Sequence, residues 1–577
     1  MRSLCVLSAL MAGSTWNSDA IAQRKPQRPW VTDSTGNQAK LEFYQSDMDG
    51  KRRPYGICVT DESDRPKPLI VHLQPGLSET IDNSGRAFRQ IAKVIDIARR
   101  DGLECIAIRP TGRGPGSLFQ NYGEVDALEA IEDVCSKYAI DRNRITLFGH
   151  SMGGAAVFYM VSHYPDRFAG AVPMAGYCDY RLWRKPDGYT FHMPPWEEPS
   201  WQARSAALLV DNFQHTPMWI MHGAWDRGVG GGVSVEHSRQ MHKRLTENRF
   251  RSRYTEVPQK GHSFLDDQLL ASAIRWLLDQ KKQSNPDHLR FSTWSLRHNN
   301  SYWMEIDQFE RYGQRASVDA RITDSGALLV KIANVRALSL GPIAGKPQAD
   351  VQIEEQSFAD VDMQQRQSFE RADESGIWNL KQPTHGGQKR HSCSGPIGDL
   401  FFEDVILVSG STGTEEENYF TRMTAYNTRS LFRRTNGGLH RGGIPGENSV
   451  MLRYALDTEL SDEEIRGHNL LLCGTPATNR ILNRFENRLP LRFGSESVKL
   501  GDRTYRGDRV AVFAVFPHPE NAERYVAVHG GVSEDAATFG SHLNVLLLPD
   551  YLVYDGPKVL DWGFFDNHWR PVSHDDG

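Results

Sequence analysis

A serine, an acid and a histidine occur in this chain in an order and a setting that could support attack on a carbonyl group. Gly149-His150-Ser151-Met152-Gly153 fits the pattern G-x-S-x-G, with the apolar run RITLFG (144–149) before it and the helix-forming AAVFYMVSH after it. A serine on a tight strand-to-helix turn takes a strained backbone conformation, and the small residues around it let the helix pass close to the strand. Its hydroxyl then projects at the carboxyl edge of the sheet. The amide of Met152 opens the helix and points to where negative charge would develop on the attacked oxygen. Asp226 follows the run MWIMHG (218–223) in HGAWDRGV, and His262 follows SRYTEV (252–257) in QKGHSF. A serine hydroxyl is a poor nucleophile until a base takes its proton, and an imidazole held in one tautomer by a carboxylate is suited to that task.

The elements that must position these residues are legible in the hydrophobic pattern. PLIVHL (68–73), ECIAI (104–108) and GAVPMA (170–175) join the three runs above as short apolar strands. FRQIAKVIDIARR, DALEAIEDVCSKY and LLASAIRWLLDQ repeat apolar residues every three or four positions, so each predicts a helix with one buried face. Alternating strands and helices of this kind predict a parallel sheet wrapped on both faces.

Over residues 60–282, GHSMGG, HGAWDRGV and KGHSF together resemble the α/β-hydrolase superfamily, within it the prolyl oligopeptidase-like and dienelactone hydrolase-like esterase branches. The chain order serine, acid, histidine is the order found in that superfamily. The resemblance implies an α/β-hydrolase fold with Ser151 as nucleophile, His262 as general base and then acid, and Asp226 as the group orienting the imidazole. It also implies a second oxyanion donor after the third strand of the fold, where these families carry HG or HGGG. This chain instead reads His72-Leu73-Gln74-Pro75-Gly76-Leu77. Pro75 has no amide hydrogen, so Leu77 or Gly76 is the candidate to act with Met152. One such donor lowers the barrier by about 3 kcal/mol.

The long connection 176–217 is rich in Tyr and Trp, and Tyr177, Trp183, Trp196 and Trp201 are candidates to line a pocket for a sugar or an aromatic acyl group. PDGYTFHMPPWEEP has no regular metal-ligand spacing, and RGVGGGV lacks the strand-to-helix frame of a nucleotide-binding loop, so neither a metal nor a cofactor is expected. The formal net charge of −5 on 577 residues, with 24% charged and 39% hydrophobic residues, argues against nucleic acid as partner. No apolar run reaches the ~20 residues needed to span a bilayer.

Residues 1–22 read as a signal peptide ending at Ala20-Ile21-Ala22, which predicts a secreted or periplasmic protein. Residues 23–60 read as an N-terminal extension and 61–284 as the catalytic domain. After the polar, Pro-containing joint QSNPDHL, a small β-rich domain is expected over 287–345 and a second mixed α/β domain over 346–577. The six cysteines from Cys58 to Cys473 show no CxxC spacing and favour buried thiols. The leading expectation is an exported serine hydrolase that cleaves a carboxylic ester of a small molecule or a polysaccharide through an acyl-enzyme. A prolyl oligopeptidase-like serine peptidase is the first alternative, disfavoured because the stretch before the first sheet strand is too short for a propeller. A catalytically inert glycan-binding protein is the second, disfavoured by the complete serine, aspartate and histidine set.

Overall fold

The computed structural model describes residues 31–32, 38–61, 63–73, 89–113, 119–183, 193–228, 232–372, 376–381, 387–436 and 452–573. The expected signal peptide lies outside the described residues, as do Gly76 and Leu77.

The first domain is built on a nine-stranded sheet. Its strands are β1 (Val31–Thr32), β2 (Gln38–Gln45), β3 (Arg52–Val59), β4 (Lys67–Leu73), β5 (Ile106–Arg109), β6 (Ile140–His150), β7 (Gly170–Met174), β8 (Met218–Gly223) and β9 (Ser252–Val257). They lie in the order β1-β2-β3-β5-β4-β6-β7-β8-β9. Pairing is parallel from β5 through β4 to β9 and antiparallel among β1, β2, β3 and β5. β4, β7 and β8 are buried at every position, as strands covered on both faces must be. One face is covered by helices α1 (Arg89–Arg100) and, near the end of the domain, Asp267–Leu278; the other by α2 (Tyr122–Lys137), α3 (Met152–His163) and α4 (Glu236–Glu247). We number Asp267–Leu278 as α5; Asp266 caps it by accepting from the Leu269 amide at 2.8 Å. The stretch 38–59, read from sequence as an extension, is instead two strands of this sheet. Their register places Tyr55 and Ile57 in the core, which makes them part of the domain.

Two five-stranded sheets follow between His288 and Leu380 and pack face to face around Phe291, Ile306, Val318, Leu338 and Phe369. The sandwich therefore extends past the expected boundary at 345. Its later strands, Gln348–Ile353 and Gln356–Asp362, lie at the edge of one sheet with many exposed polar residues, which is why their text reads as irregular. The remaining domain is an eight-stranded mixed sheet. Val405–Ser409, Arg453–Leu456, Asn469–Cys473 and Asn521–Gly531 pair in parallel, and antiparallel strands complete the sheet to Ser573.

The three domains are joined by buried polar ties. Asn212 of the first domain donates from Nδ2 to the Ser162 and Ser292 carbonyls (2.5 and 2.8 Å) and accepts from the Ser292 amide at 2.8 Å. The buried Glu124 carboxylate faces His298 Nε2 at 2.6 Å and accepts from the Tyr164 hydroxyl at 2.7 Å. Arg297 of the sandwich pairs with Asp399 of the last domain, and Lys389, in the segment that follows the sandwich, pairs with Asp550. Met48, Tyr122 and Trp196 of the first domain pack directly on the core of the last. The six described cysteines are all unpaired thiols, and each except the half-buried Cys135 is buried.

Two stability predictions follow from this packing. The Lys389–Asp550 side chains are fully buried, so Lys389→Met leaves an uncompensated carboxylate and costs about 3–5 kcal/mol, read as a lower denaturant midpoint; an unshifted midpoint contradicts it. Burial pushes His72 down to about 3, His150 to about 4, His163 to about 3, His237 to about 4 and His529 to about 3, from an ordinary 6.5. The unfolded chain therefore binds more protons between pH 6.5 and 4, so this stabilisation is complete above 6.5 and is lost as pH falls through that window. The thermal midpoint should drop steadily across it and stay level from about pH 7 to 8; a level midpoint down to pH 4 would show that these rings are not held neutral.

Candidate active site

Ser151 stands between β6 and α3 with φ +60° and ψ −119°, a conformation that L residues rarely adopt. Two contacts pin it. Its amide donates to the Met174 carbonyl of β7 at 2.8 Å, and its own carbonyl accepts from the Ala155 amide at 3.0 Å. Gly149 is required by close approach: a Cβ there would stand 2.5 Å from the Gly153 carbonyl oxygen and 2.7 Å from that of Leu73. Met152 is the first residue of α3, so its N–H is among those that no intrahelical acceptor can satisfy, and it is free to serve an oxyanion.

The acid and the base arrive on adjacent loops tied to each other. After β8, the amides of Ala224 and Trp225 donate to the carbonyls of Val257 (3.0 Å) and Lys260 (2.8 Å) on the loop after β9. Gly223 permits this contact, since a Cβ there would collide with the carbonyls of Gly261 and Lys260. The result is a continuous chain of hydrogen bonds: Ser151 Oγ lies 2.8 Å from His262 Nε2, and His262 Nδ1 lies 2.6 Å from Asp226 Oδ2. Asp226 is 3% exposed while the His262 side chain is 24% exposed, so the carboxylate is shielded and the imidazole opens toward solvent. Burial alone would raise the Asp226 pKa. The hydrogen bonds from His222 and His262, with the His262 charge, outweigh it and hold the carboxyl well below the usual range, so it is an anion near neutrality.

Two further histidines, His222 and His150, complete the arrangement. His222 Nε2 lies 2.9 Å from the Val233 carbonyl and 3.2 Å from Asp226 Oδ2, both acceptors, so this nitrogen carries the proton and donates to both. Its Nδ1 then accepts from the Ser238 hydroxyl at 2.7 Å. His150 donates from Nε2 to the His262 carbonyl at 2.9 Å and packs its ring 4.8 Å from the His262 ring, which fixes the loop carrying the base.

The aromatic candidates divide. Tyr177 and Trp201 lie in a buried cluster with Tyr180, Ala155, Val233 and Leu547, the last from the C-terminal domain. Tyr180 bridges them, with ring centroids 5.4 Å from Tyr177 and 4.7 Å from Trp201. Ala155 is one turn into α3 from the serine, and Val233 is the residue whose carbonyl accepts from His222, so this cluster adjoins both arms of the site. Trp196 instead packs against the core of the C-terminal domain, and the Trp183 side chain lies outside the described residues. Gly76 and Leu77 lie there too, so the geometry includes Met152 as the one described member of the expected oxyanion donors.

Residues 120–283 match the model of the prolyl oligopeptidase family. A 123-residue stretch is 39% identical to a protein of Arthroderma benhamiae named "Uncharacterized secreted protein"; the match covers 20% of this chain and 12% of that protein. Among solved structures, an S-formylglutathione hydrolase from Agrobacterium tumefaciens aligns at 15% identity and a TM-score of 0.35, over 43% of this chain and 97% of the other. A puromycin-hydrolyzing peptidase of Mycobacterium tuberculosis aligns at 16% identity and a TM-score of 0.35, over 44% and 39%. The first domain thus has an α/β-hydrolase fold, and its residues 120–283, which hold the serine turn between β6 and α3 and the loops of Asp226 and His262, are similar to the prolyl oligopeptidase family.

Proposed function

We propose that this protein hydrolyses carboxylic esters through an acyl-enzyme on Ser151. The observation that carries the reading is the unbroken hydrogen-bonded chain Ser151–His262–Asp226. As Oγ bonds to the ester carbon, its proton passes to His262 Nε2, and the negative charge moves to the carbonyl oxygen beside the Met152 amide. Collapse of the tetrahedral species expels the alcohol, which takes the proton back from His262. Water repeats the sequence with His262 as base and releases the acid. Asp226 remains an anion throughout and stabilises the imidazolium.

The buried cluster of Tyr177, Tyr180, Trp201, Val233 and Leu547 packs beneath the elements that carry the site and holds α3 and the Val233 loop in place for that reaction. Ester-linked polysaccharide decorations are substrates of that chemistry, and export to the periplasm or medium would bring the enzyme to them. The relative named as a secreted protein is in keeping with that location. A second reading, cleavage of short peptides, is favoured by the family match over residues 120–283.

Turnover of p-nitrophenyl acetate and of acetylated and feruloylated sugars, compared with Pro-containing peptide anilides, separates the two. The ester reading predicts kcat/KM for the esters well above that for the anilides, with activity abolished in Ser151→Ala and kcat reduced about ten-thousand-fold in Asp226→Asn. Cleavage of the anilides alone would overturn the ester assignment, and full activity in Ser151→Ala would overturn the mechanism.

A further inference from the structure

A cavity of about 550 Å³ lies where the sandwich meets the C-terminal domain, within the size range of small-molecule sites. One wall is the outer face of the sheet containing strands Met304–Phe309, Val335–Leu340 and Gln367–Arg371; the other is formed by residues 388–392 and Glu523. In Met304–Phe309, Met304 and Ile306 point into the sandwich core, and Glu305 and Asp307 face the cavity. The pairing then slips: Ile306 opposes Leu338, and the next paired residue is Gln308, opposite Ala337. This bulge leaves Asp307 as the extra residue and turns Gln308 to the same side, so two consecutive polar side chains enter the cavity.

Gln308 is only 8% exposed. Its Nε2 donates to Gln388 Oε1 at 2.9 Å and to the Lys389 carbonyl at 3.3 Å, and the carbonyl partner fixes which end of the amide is which. Its Oε1 is buried and has no hydrogen-bond partner among the described residues. A buried amide oxygen without a donor is unfavourable, and a ligand hydroxyl in the cavity that drew the Gln308 side chain toward it would supply the missing donor.

The charges in the walls cancel in pairs. Arg366 bridges Glu305 and Asp307, Lys381 and Arg336 meet Glu370 at 2.7 and 3.7 Å, Arg390 meets Glu523 at 2.9 Å, and Lys389 is neutralised by Asp550. A cavity whose cations are matched to carboxylates and whose open lining is apolar as well as polar offers little net field to an ion and suits a neutral molecule that carries both hydroxyl groups and apolar faces, as a sugar does. We infer that this cavity is a binding site for a short neutral oligosaccharide. It is formed by the two domains that follow the hydrolase domain, so it stands whether the triad cleaves esters or peptides.

Calorimetric titration of the full-length Ser151→Ala protein with xylotriose, cellotriose, mannotriose and maltotriose, and with trigalacturonic acid as the charged comparison, tests the inference. At least one neutral trisaccharide should bind, more tightly than trigalacturonic acid, and Gln308→Leu should weaken it at least about tenfold by removing the amide oxygen at nearly constant volume. Because Gln308 also ties down Gln388, a second variant, Ser368→Leu, extends an apolar side chain into the cavity from a half-buried position and should also weaken binding. Absence of heat with all four neutral sugars, preference for the charged trimer, or an affinity unchanged in both variants would overturn the inference.

Discussion

Ser151 is held at φ +60° by the Met174 carbonyl on one side and the first turn of α3 on the other. A non-glycine residue in that region costs about 1–3 kcal/mol, so the surrounding structure must impose it. Gly149 lets α3 and β4 close on the turn, and the fully buried strands on either side of β6 keep it from relaxing. With the hydroxyl fixed, the acid and base need only be brought to it. The loops after β8 and β9 are laced together by backbone hydrogen bonds before either side chain is considered. His222 and His150 then remove the remaining freedom, one at the carboxylate and one at the carbonyl of the base itself.

The C-terminal domain is more than an appendage to this arrangement. Leu547 reaches the aromatic cluster beside α3, and Arg204 donates to the Leu546 carbonyl at 2.9 Å, so the packing beside α3 is shared between the first and last domains. The buried pairs Glu124–His298, Arg297–Asp399 and Lys389–Asp550 set the three domains against one another with directional contacts. Desolvated pairs of this kind contribute little net stability but are costly to break singly. They hold the sandwich and the last domain in the placement that leaves a cavity between them.

Much of the hydrolase domain can be read from text because its central strands are buried on both faces and hence continuous in hydrophobicity. RITLFG, MWIMHG and SRYTEV fall in β6, β8 and β9, and Ser151, Asp226 and His262 lie in the turns after those three strands. The antiparallel strands β2 and β3 read as an extension because they carry polar residues such as Lys40, Glu42 and Arg52 among their apolar ones. The sandwich was cut short for a similar reason, since Gln348–Ile353 is buried only at alternate positions. The contributions of His222 and His150 are not legible in the sequence, because they depend on contacts with Asp226, Val233 and the His262 carbonyl, which no local pattern encodes. Trp196 shares its composition with Trp201 but turns to the other domain's core, a difference set by tertiary packing alone.

The central claim is that Ser151 is a nucleophile activated by His262. Treating the full-length protein with diethyl p-nitrophenyl phosphate, then mapping its peptides by mass spectrometry, tests it most directly, because the reagent transfers a diethylphosphoryl group to an activated hydroxyl and releases p-nitrophenolate. The account predicts one modified residue, Ser151, with the modification lost in His262→Ala. An unmodified Ser151 in folded protein, or equal labelling after removal of His262, would contradict it.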